Sequence, residues 1–184
     1  MSRELADVLN EHGEPTGRTA TKEEIFKNGW WRLVVHIWIV NPETQELLIQ
    51  KRAKKGIFDD LWDVSVGGGV QAGEDSVIAA KREVEEELDL GFNESDFELI
   101  GRFRVPKFIP ERQQPTNEYS DTFFVRSGFD LNQVKMQKAE VAEVGSLALS
   151  DLINLQSDHQ KAGLWVPHGQ EYYTTVANKI IEKL

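Results

Sequence analysis

Residues Gly67–Leu90, GGGVQAGEDSVIAAKREVEEELDL, decide how the rest of the chain is read. Glycines and a short polar connection precede an amphipathic segment whose second half carries four glutamates within five residues. The glycines predict a turn in which the backbone takes φ > 0 and comes close to a ligand. Asp75 or Ser76 suits an N-cap, and Val77, Ala80, Val84 and Leu88 recur at helical spacing as one apolar stripe. At about 100° per residue, Glu83, Glu86 and Glu87 share an arc beside that stripe, while Glu85 points to solvent. Carboxylates at i, i+3 and i+4 repel one another, and burial against a sheet raises their pKa values. One resolution is a solvated acidic face. The other is a hard divalent cation, magnesium or manganese, which takes carboxylate oxygens and removes the conflict. The glycine turn ahead of the helix favours the cation.

The spacing resembles the signature of the Nudix hydrolases, G-x5-E-x7-R-E-U-x-E-E-x-G-U, where U is a bulky aliphatic residue. Gly68, Glu74, Arg82, Glu83, Val84, Glu86, Glu87 and Leu90 stand at the matching positions. Asp89 replaces the family's second glycine. That position follows the helix end, and Asp tolerates the left-handed conformation better than most residues, so a small backbone adjustment is expected.

The chain of 184 residues is long enough to bury a real core, and its 40% hydrophobic content is that of an ordinary globular protein. Acidic residues outnumber basic ones by 31 to 21, a net charge of −10. That balance argues against nucleic acid and against anionic membrane, which call for basic surfaces. It leaves room for a phosphate-bearing substrate, because a bound cation reverses the local sign. The absence of cysteine excludes disulfides, thiolate zinc sites and a cysteine nucleophile. No stretch resembles a signal peptide or an apolar membrane span, so a cytoplasmic enzyme is the expectation.

Outside the signature, the segment from Leu5 to the turn at Asn10–Pro15 reads as a strand and hairpin, with His12 as a polar turn residue. A brief helix follows, with Thr21 as N-cap and Glu24 closing a capping box. Trp31–Val40 is the central strand, with His36 as a hydrogen-bonded core histidine, and Glu46–Arg52 returns as its hairpin partner. Lys51 and Arg52, with Lys54 and Lys55 beyond, are either solvated surface or a guide for substrate phosphates. Leu61–Val66 is a strand feeding the glycines, in which Trp62 packs on the core or lines the pocket. Phe97–Val105 and Glu118–Arg126 are further strands, and Lys107–Asn117 between them is a loop long enough for a substrate-facing flap. Glu140 and Glu143 precede a short strand and a helix capped near Ser150, and Gly169–Leu184 is a C-terminal amphipathic helix.

The resemblance implies an α/β fold: an α/β/α sandwich, with a mixed sheet between helices and the signature as a loop-helix-loop. It implies a single domain over residues 1–184, with an N-terminal hairpin extension over about 1–28 and a C-terminal helix over about 169–184. By resemblance, Glu83, Glu86 and Glu87 bind magnesium or manganese with the Gly67 carbonyl as a further ligand. Glu74 pairs with Arg82 and holds the loop against the helix, a role that suits an Arg–carboxylate fork. Gly68, Lys51, Arg52 and Trp62 are the residues expected at the substrate. The general base differs among Nudix enzymes, and Glu118, Glu140 and Glu143 compete with Glu83 for that role.

The stretches DVLNEHGEPTGRTATKEE, VVHIWIVN, LLIQKR and LWDVSVGGGV are most similar to the branch that holds isopentenyl-diphosphate isomerase and its hydrolase-like relatives. The isomerase works through a cysteine opposite a glutamate. Glu118 is a counterpart of the glutamate, but without a cysteine the isomerase chemistry does not carry over. The implied activity is magnesium-dependent hydrolysis of a diphosphate linkage in a nucleoside diphosphate derivative or a related small molecule. The alternative is a ligand-binding regulator without turnover, against which the intact glutamates weigh. Family habit alone adds a homodimer.

Overall fold

The computed structural model describes residues 4–54, 57–109, 113–157 and 159–184. Strands β1 (Leu5–Leu9) and β2 (Pro15–Thr21) form a hairpin that runs into helix α1 (Lys22–Asn28). Thr21 caps that helix as expected: its hydroxyl accepts from the Glu24 amide, and the Glu24 carboxylate accepts from the Thr21 amide. Strands β3 (Trp31–Asn41) and β4 (Glu46–Arg52) follow, then the short strands β5 (Trp62–Asp63) and β6 (Val66–Gly69). Helix α2 (Ser76–Leu88) is the signature helix. Beyond it come β7 (Glu98–Arg104), β8 (Lys107–Ile109), β9 (Gln114–Arg126) and β10 (Val141–Ala148), the four-residue helices α3 (Leu149–Leu152) and α4 (His159–Ala162), and α5 (Gln170–Lys183).

The strongly apolar β3 is the axis of the sheet. Along one edge it pairs in parallel with β9, from Trp31 opposite Asn117 to Val40 opposite Arg126. Its other edge is shared by three antiparallel partners: β1 at Trp31, β6 at Val34–Ile37 and β4 at Ile39–Asn41. Side chains alternate across the sheet. Val35, Ile37 and Ile39 pack with Ala80, Val84 and Leu88 of α2 on one face, and Trp38 and Val40 pack with Tyr173, Val176 and Ile180 of α5 on the other. The mixed sheet between helices is the expected sandwich.

Several local expectations are corrected. Gly67–Gly69 do not form a turn; they lie in β6, opposite His36, Val35 and Val34, and none of them has positive φ. The left-handed glycine of this stretch is Gly73, at φ +74°. The predicted strand Leu61–Val66 is split, because β3 and β4 diverge there. Ser65 fills the gap by accepting from the Ile39 amide and donating to the Leu48 carbonyl. Lys107–Asn117 is not a loop but the β8–β9 hairpin, with Lys107 and Ile109 turned inward and Phe108 outward; residues 110–112 lie outside the described residues. The helix expected to be capped near Ser150 starts at Leu149 behind Ala148. At Asp89 the expectation holds: it closes α2 in the left-handed region at φ 53°. Among the described residues, no helix is long and apolar enough to cross a membrane.

Candidate active site

The glycine strand and α2 are locked together by Arg82. Its Nε and Nη2 donate to the two oxygens of Glu74 at 3.0 and 2.9 Å, Nη2 also donates to the Gly69 carbonyl at 3.0 Å, and Nη1 donates to Glu83 at 2.8 Å. Burial works against the Glu74 charge, but the fork with Arg82 and the Gln71 amide hold its carboxyl below the usual range. Glu83 is bent across Gly68, where any Cβ would overlap its carboxyl end. A side chain at 68 would therefore have to displace the Glu83 arm. Burial pushes the Glu83 carboxyl up, against the pull of Arg82.

Glu83, Glu86 and Glu87 line one cavity of about 380 Å³, together with Glu140, Gln50, Arg52 and Gly67–Gly69. Glu86 is half exposed and lies 3.7 Å from Arg82. Glu87 is buried, and Gln50 Nε2 donates to it at 3.1 Å. The carboxamide oxygen of Gln50 is buried with no hydrogen-bond partner among the described residues.

Behind the glycine strand lies a second chamber of about 100 Å³, which shares Lys22, Arg32, Arg52 and Gly67–Gly69 with the first. Its wall holds two buried polar groups. In the first, Arg32 donates through Nε and Nη2 to Glu118 at 3.0 and 2.6 Å, while Lys107 donates to the other carboxylate oxygen at 2.8 Å. Burial opposes the Glu118 charge, yet Lys107 and Arg32 outweigh it and hold the carboxyl well below the usual range. In the second, Asp63 joins Arg52 at 3.0 Å and His168 at 2.7 Å. Burial again opposes ionisation, and His168 and Arg52 overcome it. Burial also lowers the His168 and His36 pKa values, in His168 against the opposing pull of Asp63. His168 reaches this site because the chain at Trp165 lies in parallel against Trp62.

Comparison with known proteins identifies the family. A family model described as the NUDIX domain matches residues 30–168. The chain belongs to the Nudix hydrolase family. It is 32% identical over 171 residues to Nudix hydrolase 3 of Arabidopsis thaliana, which covers 91% of this chain but 22% of that protein; the chain thus spans under a quarter of that relative's length. It is 34% identical over 163 residues to an uncharacterised Nudix hydrolase of Listeria monocytogenes, covering 88% of each. A crystal structure of a Deinococcus radiodurans protein superposes with a TM-score of 0.65 at 22% identity, over 92% of this chain and 97% of that one, a likeness of fold. The enzyme class is that of the Nudix pyrophosphohydrolases, whose members generally use divalent metal ions.

Against that Nudix frame, the residues picked from sequence divide. Glu83, Glu86, Glu87, Glu140, Gly67, Gly68 and Arg52 meet at the cleft, and Glu74 and Arg82 brace it. Lys51 and Trp62 do not line either chamber. Neighbours in a strand face opposite sides of the sheet. Arg52 therefore faces the cleft, while Lys51 turns to Glu143 at 3.9 Å and lies over the Trp62 ring. Trp62 packs on Gly145, where a Cβ would stand 3.1 Å from the indole. Glu143 is on that outer side as well, and Lys55 lies outside the described residues. Glu118 reaches the inner chamber with both oxygens committed. His36 is buried and bonded to the Tyr172 hydroxyl at 2.8 Å, and His12 is exposed in its turn.

Gln50, Arg32, Lys107, Asp63 and His168 were missed. A charged residue inside an apolar strand, such as Arg32 in WRLVV, was the available signal, since a buried charge calls for a partner; for His168 there was none. The donor set fits a hard divalent cation. It is all oxygen, drawn from Glu83, Glu86, Glu87, Glu140 and the Gly67 carbonyl, with the unpartnered Gln50 oxygen beside Glu87. The expected convergence is incomplete, however. Among the described residues no three such groups close into a ligand set.

Proposed function

We propose that this Nudix protein hydrolyses a diphosphate linkage in a nucleoside diphosphate derivative or a related small molecule, with magnesium or manganese as cofactor. One observation carries the reading. The cleft has an acidic wall on α2 and a basic wall of Arg32, Arg52 and Lys22, with the side-chain-free strand Gly67–Gly69 between them. A diphosphate needs both walls: cations to accept its oxygens, and carboxylates to hold a metal and receive a proton.

A divalent cation held by Glu83, Glu86 and Glu87 with Gly67 supplies Lewis-acid neutralisation of phosphate charge. The remaining work falls to the chain. Arg82 fixes the orientation of Glu83, Gly68 clears the space that Glu83 crosses, and Gln50 orients Glu87. Arg52, held by Asp63, presents a guanidinium to the phosphate side. The proton of the attacking water goes to a carboxylate facing the cleft, and Glu83 and Glu140 meet that condition, whereas Glu118 is committed and Glu143 faces away.

The test is phosphate release with magnesium across a panel of nucleoside diphosphate derivatives and other small diphosphates, with product identification. Turnover of at least one member, abolished by chelation, is expected. No turnover on any member, together with tight binding of one, would replace the enzyme by a ligand-binding regulator.

A further inference from the structure

Among the described residues, the ion cluster of the inner chamber does not balance. Arg32 and Lys107 both rest on Glu118, and the side chains of all three are less than a tenth exposed. The other acidic residue of this chamber, Asp63, is matched by Arg52. Among the described residues, two buried cations therefore share one carboxylate, and a buried charge without a counter-charge is costly.

A second, independent feature stands at the same place. Thr116 lies directly across from Lys107 in the β8–β9 ladder, is 2% exposed, and its hydroxyl has no hydrogen-bond partner among the described residues. Arg32 has a nitrogen not used on Glu118: Nη1 lies beside the glycine strand, 3.2 Å from where a Gly69 Cβ would be. An uncompensated positive charge and an unsatisfied hydroxyl thus line a chamber with room for several water-sized atoms. Native interiors satisfy such groups.

We propose that Arg32, Lys107 and Thr116 form an oxyanion subsite in the inner chamber, which takes a phosphoryl group of the substrate from the side opposite the acidic helix. This rests on the reading of the cleft as a diphosphate site. It adds that phosphoryl recognition on this side needs no metal, because the ammonium, the guanidinium and the hydroxyl supply the charge and the donors. Glu118 anchors both cations and leaves one positive charge over for the ligand.

Calorimetric titration of inorganic phosphate into the full chain, in excess chelator, tests the subsite without turnover. The wild type is expected to bind. Lys107→Met should bind roughly tenfold more weakly, and the isosteric Thr116→Val about fivefold more weakly. Lys51→Ala, which lines neither chamber, should bind phosphate as the wild type does. Both subsite variants should melt no lower than wild type without phosphate, because Lys107→Met leaves a neutral Arg32–Glu118 pair and Thr116→Val removes an unsatisfied hydroxyl. Absence of phosphate binding by the wild type, or undiminished binding by Thr116→Val and Lys107→Met, overturns the subsite. Failure of the diphosphate panel alone, with metal-free phosphate binding intact, overturns the hydrolase reading and leaves the subsite standing.

Discussion

Gly68 and Glu83 occupy one another's space: the carboxylate arm of Glu83 lies where the side chain of any other residue at 68 would begin. The pairing ties a strand position to a helix position fifteen residues later, and it sets the direction in which a cleft-lining carboxylate points.

Gly68→Ala is therefore expected to displace Glu83 and to lower kcat by about 100-fold, the scale of loss that a misplacement near 1 Å produces. The fold should survive, since Gly68 has no positive φ to lose. Steady-state kinetics with thermal melting checks both halves; wild-type kcat would separate the glycine from the orientation of Glu83.

Arg82→Lys keeps the charge but loses the fork to Glu74 and the bond to Gly69. A lysine presents a point charge instead of a planar set of donors. The expected cost is about 1.5–3 kcal/mol of stability, the worth of hydrogen bonds to a charged group, read by denaturant unfolding.

Glu86→Gln and Glu87→Gln should each cut turnover by orders of magnitude with the fold intact. Magnesium should raise the wild-type Tm, because it binds the folded state, and should raise that of Glu87→Gln much less. Gln50→Leu removes the group that orients Glu87 and should weaken metal affinity about 10–100-fold, measured by calorimetric metal titration.

Lys51→Ala should leave KM within about twofold of wild type, the scale of a surface change away from any such feature. Arg52→Lys, at the adjacent position but in the cleft, should raise KM while leaving Asp63 a cationic neighbour. Equal effects of the two substitutions would contradict the opposite facing of the two side chains.

His36 is buried against Tyr172 and His168, with Lys107, Asp63 and Glu118 in its field, and both histidines have folded-state pKa values below the ordinary one. The unfolded chain then binds more protons than the folded one below about pH 6.5. Their contribution to stability is complete above that value and is lost as pH falls toward the folded pKa values, by up to about 1.4 kcal/mol per pH unit for each histidine. Urea unfolding between pH 7.5 and 5 should show this slope, and His36→Gln should flatten it.

The parts of the fold that were legible in the sequence are those with a local cause. The apolar run of β3, the capping box at Thr21 and Glu24, and the stripe of α2 each signal their structure within a dozen residues. The acidic side of the cleft was legible for the same reason, since one helix carries Glu83, Glu86 and Glu87. The basic side was not, because Arg32, Lys107 and His168 come together through pairings that no local pattern encodes. The glycine strand was misread because glycine was taken as a sign of left-handed backbone. Its cause at Gly68 is a neighbour on another element, which only the packed structure reveals.

The parallel pairing of β3 with β9 also bears on how the molecule assembles. Arg32 and Glu118 are 86 residues apart in the chain, so the inner chamber cannot form until a long loop has closed against its entropy. Until β9 docks, β3 offers an open apolar edge, the kind of surface that recruits other chains. A nascent chain ending before residue 126 would carry the whole signature helix and yet be aggregation-prone. Its catalytic motif would be complete long before it had a pocket to serve.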